Sequence, residues 1–507
     1  MGKHSYFRAA ALAGAVLAAG LTLPALAQEK SRTITWSLAQ EPPNWNYWQV
    51  GATALTGPIF HNVMEPLVER GPDGSPMPLL AESWEISDDG LTYTFHLREA
   101  KFHDGSDLDA GDVVYSILKN KESPIADTKT PLASVESVEA VDDRTVKMVL
   151  SQPSQRLMSE LGLRAGIIAP ENFFEEHDAA VSLIGTGPYT FGEYKPDVSL
   201  TLNRFEGYWG DKPWFETIVH RFIEDETSAI NALLAGEIDM IITVQGAGLD
   251  RVPSVIADDK FKIWEPGPIG INHLFLNPKS PQLQDIRVRQ AIAYSVDREA
   301  VILGAVGGFG MPICEIVVPA TVPWNAEYCP YPYDPAKARE LLKEAGKSDL
   351  TIDFPFTTVA EHPAVKEIIE ATFAEAGISL KTRAMDLATF LAQVYSPKTG
   401  DYEVSNITSS SKAEAYICKG GRQPLGMADS PVCLDEFDAL ATKSDTIVDP
   451  QEYAEAMQQM TKLLADSAWV IPIFAKLPPT LVRADLEGFK SNRMLMEMDA
   501  RKLHWAD

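Results

Sequence analysis

Basic residues are scarce in this chain. Its 507 residues carry 44 Lys and Arg against 71 Asp and Glu, a formal net charge of −27. That deficit excludes nucleic acid and anionic lipid as partners, since both are held chiefly by Lys and Arg on phosphate. Long apolar runs are missing once residue 27 is passed, so no direct membrane insertion is expected of the rest. Cysteine is limited to four residues, the first at Cys314, which leaves no thiol near the N-terminus to carry a lipid. Local catalytic signatures are absent too. There is no Gly-x-Ser-x-Gly and no His-Glu-x-x-His, and Gly346-Lys347-Ser348 lacks the upstream glycine of a phosphate loop. Gly185-Thr186-Gly187 is too short for a dinucleotide fingerprint. The reading is therefore not an enzyme and needs no cofactor; a secreted hydrolase with a site assembled only in three dimensions is the distant alternative.

What is present begins with a leader. Lys3 and Arg8 precede an uncharged stretch over residues 9–27 that ends Pro24-Ala25-Leu26-Ala27, with small residues where a signal peptidase reads. Cleavage before Gln28 is expected, releasing a soluble, more acidic chain into the periplasm without a lipid anchor. In an exported protein the four cysteines read as two disulfides. Three connectivities are open, and the equal spacing within each neighbouring pair favours Cys314 with Cys329 and Cys418 with Cys433, each stabilising by about 3 kcal/mol. A zinc site would want shorter Cys or His spacings.

The pattern of apolar residues places elements of two kinds. Around Asp88-Asp89-Gly90 a turn is expected, followed by a strand in which Leu91, Tyr93, Phe95 and Leu97 alternate with polar residues. Asp109 is positioned to cap a helix with Val113, Val114, Ile117 and Leu118 on its core face. Further on, Asp334-Pro335 opens a helix that Gly346 ends. A strand at residues 350–354, a helix with Val365, Ile369 and Phe373 inward, and a strand at 378–382 then make a βαβ unit, whose ligand sites lie at strand ends. His96 and His103 read as structural histidines.

The same residues carry a family resemblance. Met64-Glu65-Pro66-Leu67-Val68, Leu80-Ala81-Glu82-Ser83-Trp84, Lys101-Phe102-His103-Asp104-Gly105, Gly185-Thr186-Gly187-Pro188-Tyr189 and Asn203-Arg204-Phe205-Glu206-Gly207-Tyr208-Trp209 follow one another as in the family 5 extracellular solute-binding proteins, the peptide, nickel and opine class. Ala235-Gly236-Glu237-Ile238-Asp239, the stretch from Arg287 to Arg298, Tyr333-Asp334-Pro335 and Ile471-Pro472-Ile473-Phe474 continue the series. The resemblance implies an α/β two-lobed periplasmic binding protein fold (type II, cluster C) with a hairpin-rich subdomain inserted in lobe I. It places the leader at 1–27, lobe I at 28–270 with the subdomain at about 65–190, lobe II at 271–476, and a C-terminal return to lobe I at 477–507. It implies a monomer that closes on a small-molecule solute and hands it to ABC transporter permease subunits.

Two segments are candidates for the solute. Trp45, Tyr47 and Trp48, followed by Gly51, offer aromatic faces for stacking, with Asn46 and Gln49 as polar neighbours. Asn406, Ser409, Ser410 and Tyr416 lie in a second segment where peptide-binding relatives are expected to carry an aspartate for the ligand's α-ammonium. This chain has Thr408-Ser409-Ser410-Ser411 there, and hydroxyls supply no such charge. Glu414 is a potential substitute. The departure points to a neutral or zwitterionic solute: an oligosaccharide, an opine-like compound or a modified peptide. A nickel or metallophore binder is the alternative within the family, although no histidines are paired at ligand spacing, so the site carries no metal in this reading. His273 is the single candidate, and strand packing is its simpler explanation.

Overall fold

The computed structural model describes residues 31–506 except 52–56, 72–73, 243–245, 265–266, 269, 318–326, 395–399, 401, 410–433, 445, 448 and 490–497. Thr33–Leu38 is a central strand of a seven-stranded sheet whose order is Phe261–Trp264, Thr480–Arg483, Met240–Ile241, Thr33–Leu38, Thr217–Phe222, Ser199–Arg204, Tyr189–Lys195. It runs parallel to both neighbours, while the outer pairings are antiparallel. Ile34, Trp36 and Leu38 alternate into a core with Ile218, Leu200 and Leu202, as period-two burial requires.

A separate antiparallel sheet, Ala81–Ile86, Thr92–Leu97, Thr145–Leu150, Val135–Asp142, is covered by helix Ala110–Lys121. Asp109 caps that helix in a capping box with Asp112. Val113 and Ile117 are buried as the spacing predicts, but Leu118 is 43% exposed. The buried stripe is rotated because Asn120 is drawn inward to donate to the carbonyls of Ala165 and Ile167, which leaves Leu118 on the far side. His103 is a hydrogen-bonded structural residue, its ring joining Gly187 O and Gly185 N.

A four-stranded sheet holds Gly310–Pro312, Val470–Lys476, Ile271–Leu276 and Val404–Ser409 in that order. Beside it, Leu350–Thr357 and Ile378–Met385 pair in parallel around helix His362–Glu375, forming the βαβ unit. Helix Pro335–Glu344 starts on the Asp334 cap. Cys314 and Cys329 form a disulfide; Cys418 and Cys433 lie outside the described residues. The chain on either side of the bridged loop is held by Arg298, whose guanidinium donates to Ile313 O, Pro472 O and Tyr331 O. Among the described residues no helix is long and apolar enough to cross a membrane.

Candidate functional site

The chain passes twice between the seven-stranded sheet and the sheet that holds Ile271–Leu276, and the two passages meet at both ends. Phe261–Trp264 and Thr480–Arg483 pair in the first sheet, ending at Trp264 opposite Thr480. Ile271–Leu276 and Val470–Lys476 pair in the second, beginning at Ile271 opposite Ala475, and Lys476 N donates to Gly270 O at 2.8 Å. The junction between sheets is thus a double passage, a ribbon paired at its two described ends, rather than a single linker.

Polar side chains collect on the second sheet where this ribbon enters it. Glu361 lies in the turn between strand Leu350–Thr357 and helix His362–Glu375, directly after Ala360, a non-glycine residue at φ 52°. Glu361 is 3% exposed and Lys476 6%. Lys476 Nζ sits 2.8 Å from Glu361 Oε2, and Thr408 Oγ1 donates to Glu361 Oε1 at 2.7 Å. Asn272 Nδ2 donates to Thr408 Oγ1 at 2.9 Å, and Asn406 Nδ2 to Asn272 Oδ1 at 2.8 Å and to His273 O at 3.1 Å. His362 Nδ1 meets Asn406 Oδ1 at 2.7 Å. Burial, the largest single effect, pushes the Glu361 carboxyl up, but the charges of Lys476 and His362 together with the hydrogen bonds from Lys476 and Thr408 outweigh it and bring it down to about 2. Glu361 is therefore ionised at neutral pH.

Asn406 is thus buried and committed to its neighbours. Ser409 ends its strand opposite Ile271. Ser410, Tyr416 and Glu414 lie outside the described residues. Nothing in the periodicity singled out Glu361, Thr408, Asn272 or Lys476. The available signals were a carboxylate just before His362-Pro363 and a lysine closing the apolar run 469–475.

The aromatic segment is held by the first sheet and its inserted subdomain. Trp45 is 0% exposed, edge-on to Phe191 and Tyr194 at 5.4 Å. Tyr47, 1% exposed, packs on Phe174, and Arg164 donates to Tyr47 O at 2.8 Å and Val50 O at 2.7 Å. Trp48 is only partly buried; its Nε1 donates to Lys119 O at 2.8 Å and the Lys119 ammonium stands 5.2 Å from its ring centroid. Gly51 is exposed, with Ile125 its nearest side chain. The structure therefore places two of the three aromatics in the interior and leaves Trp48 and Gly51 at the surface.

The motif residues converge elsewhere. Glu65 is fully buried and accepts from Thr186 Oγ1 at 2.8 Å, Tyr208 OH at 3.0 Å and Trp209 Nε1 at 2.9 Å. Burial pushes its carboxyl up despite these three donors. A Cβ on Gly185 would lie 2.0 Å from Val63 O, and one on Gly187 2.5 Å from Asn62 O. Three blocks far apart in sequence thus form one clasp, a structural reason for those residue types at those places.

Residues 75–418 match the family described as bacterial extracellular solute-binding proteins, family 5 middle. The dipeptide-binding protein of Escherichia coli K12 is 26% identical over 94% of this chain and 95% of its own length. The agropinic acid complex of AgaA from A. tumefaciens R10 superposes with a TM-score of 0.75 at 25% identity, over 94% of this chain and 99% of that one. The ABC transporter substrate-binding protein CtaP of Listeria monocytogenes superposes with a TM-score of 0.83 at 24% identity, again over 94% and 99%.

Proposed function

This chain belongs to the family 5 bacterial extracellular solute-binding proteins, two-lobed binding components of ABC importers, and on that premise we propose that it captures a polar, uncharged or zwitterionic organic solute and performs no chemistry on it. The observation that carries this reading is the state of the carboxylate that Thr408, the residue before the serine run, binds. Glu361 is hydrogen-bonded by Thr408, but its charge is already met by Lys476 at 2.8 Å. A free α-ammonium arriving beyond Thr408 finds hydroxyls there, and the adjacent carboxylate is neutralised. The E. coli relative is a dipeptide-binding protein and AgaA holds agropinic acid; the solute proposed here is set apart from the first, because a dipeptide carries a free α-ammonium.

In this reading Ser409, Ser410 and Tyr416 receive the solute on one side, and Trp48 and Gly51 on the other. Trp45, Tyr47 and Asn406 are buried and support the two segments from within. The lobes are residues 28–270 with 477–507, and residues 271–476. They bend at the ribbon between Trp264 and Ile271 and between Lys476 and Thr480. The leader is removed before Gln28, and the working form is a monomer.

Native mass spectrometry of the purified protein tests the reading, since closed clefts retain their cargo. An eluted sugar or opine-like compound is expected, and Trp48→Ala should reduce the loaded fraction. A peptide with a free amino terminus, or a nickel complex, would refute the argument from the serine run.

A further inference from the structure

Glu361 does more than neutralise a lysine. In the second sheet, Val470–Lys476 and Val404–Ser409 are not neighbours: Ile271–Leu276 lies between them. Glu361 spans that central strand, one oxygen on Lys476 of the first flanking strand and the other on Thr408 of the second. Asn272, on the strand beneath, donates to the same Thr408 hydroxyl. Lys476 is the last residue of its strand before the second passage to the first sheet, and Thr408 stands directly before the serine run. One carboxylate therefore straps the strand end that leads towards the proposed solute to the strand end that leads into the interlobe ribbon.

Stability alone does not call for this arrangement. A buried ion pair is often replaceable by apolar side chains without loss, because desolvation cancels much of its attraction. Here it is reached through Ala360 in the left-handed region, a conformation that costs free energy in a non-glycine residue. We propose that Glu361 is a positioning residue for solute capture, making the end of Val404–Ser409 and the start of the second passage one rigid unit, so that a solute seated beyond Thr408 is felt at the hinge. The inference rests on the reading that the solute sits at the serine run.

The test uses full-length protein, solute-free, with deuterium uptake read at 404–409 and 476–483 together with the thermal midpoint. Glu361→Gln leaves Lys476 buried without its counter-charge, and should lower the midpoint and raise uptake at both segments. The deciding variant is Glu361→Leu with Lys476→Met, which removes both charges. Its midpoint should return to within about 3 °C of wild type, while exchange at both segments stays faster by about tenfold and the fraction loaded with solute in native mass spectrometry falls. Thr408→Val should release 404–409 and leave 476–483 protected. Wild-type exchange in the double variant, or a midpoint that never recovers, would assign the pair to stability alone and overturn the proposal. A wild-type protein that carries no solute counts against the ligand reading, while the exchange comparison still decides this one.

Discussion

Acid should unfold this protein through its buried histidines before its carboxylates, and His220 is the sharpest case. His220 lies on Thr217–Phe222, 0% exposed, and its Nδ1 accepts from Trp36 Nε1 on the adjacent strand, the two rings edge-on at 4.9 Å. An accepting Nδ1 puts the ring proton on Nε2. A second proton has only Nδ1 to occupy, where it would point at the indole N–H. Burial lowers the pKa from 6.5 to about 3. Because the folded value is depressed for a base, the contribution is intact above pH 6.5 and is lost as pH falls from 6.5 towards 3. At pH 4 that loss is about 3 kcal/mol for this one group. His103 and His273, both lowered to about 4 by burial, act in the same direction over pH 6.5 to 4. Glu361 loses its charge only near pH 2. Urea denaturation at pH 7.5, 5.5 and 4.5, on wild type and His220→Asn, measures the effect. The asparagine oxygen keeps an acceptor for Trp36, so at pH 7.5 the variant should lose about 1–2 kcal/mol to the cavity left by a smaller side chain. Between pH 6 and 4 its stability should fall less steeply than wild type, by up to about 1.4 kcal/mol per pH unit. Parallel slopes would refute the reasoning.

Other consequences are open to simpler measurement. Gly187→Ala forces a Cβ to 2.5 Å from Asn62 O, so denaturant titration should show a loss of about 2 kcal/mol or more; an unchanged midpoint would mean the clasp is looser than the structure shows. Glu65→Gln can keep an oxygen on Trp209 Nε1 and Thr186 Oγ1 but turns an amide N–H towards Tyr208 OH, which must then accept, and about 1 kcal/mol or more should disappear in the same assay. Peptide mapping without reduction should join the Cys314 and Cys329 peptides, and the Cys418 and Cys433 peptides to each other; reduction of the first bridge should cost about 3 kcal/mol of stability.

Local rules carried much of the fold. Asp109 with Asp112, Asp334 with Pro335, and the 350–382 βαβ pattern are written within a few residues of where they act, and each formed as its chemistry directs. Leu118 was misplaced because helix-face periodicity does not register a hydrogen-bonding residue such as Asn120 that turns the face. The site was less legible. Three aromatics within four residues identify a segment rich in contact surface, but whether Trp45 faces a core or a cleft depends on Phe191 and Tyr194, about 150 positions away. Glu361, Thr408 and Lys476 meet only because two strands flank a third, and no spacing along the chain encodes that meeting.

The place of Thr480–Arg483 in the first sheet sets a timetable for folding. That strand lies between Met240–Ile241 and Phe261–Trp264, bonded to both, and Arg483 N reaches back to Asp239 O. Nearby, Asn62 Nδ2 donates to Met498 O at 2.6 Å, and Arg501 pairs with Glu69. A chain made and threaded from its N-terminus therefore carries a half-built sheet for almost its entire length, with a gap that only its last thirty or so residues can fill. Closing such a distant pairing is slow, and until it closes, the N-terminal half lacks the strand that completes its sheet.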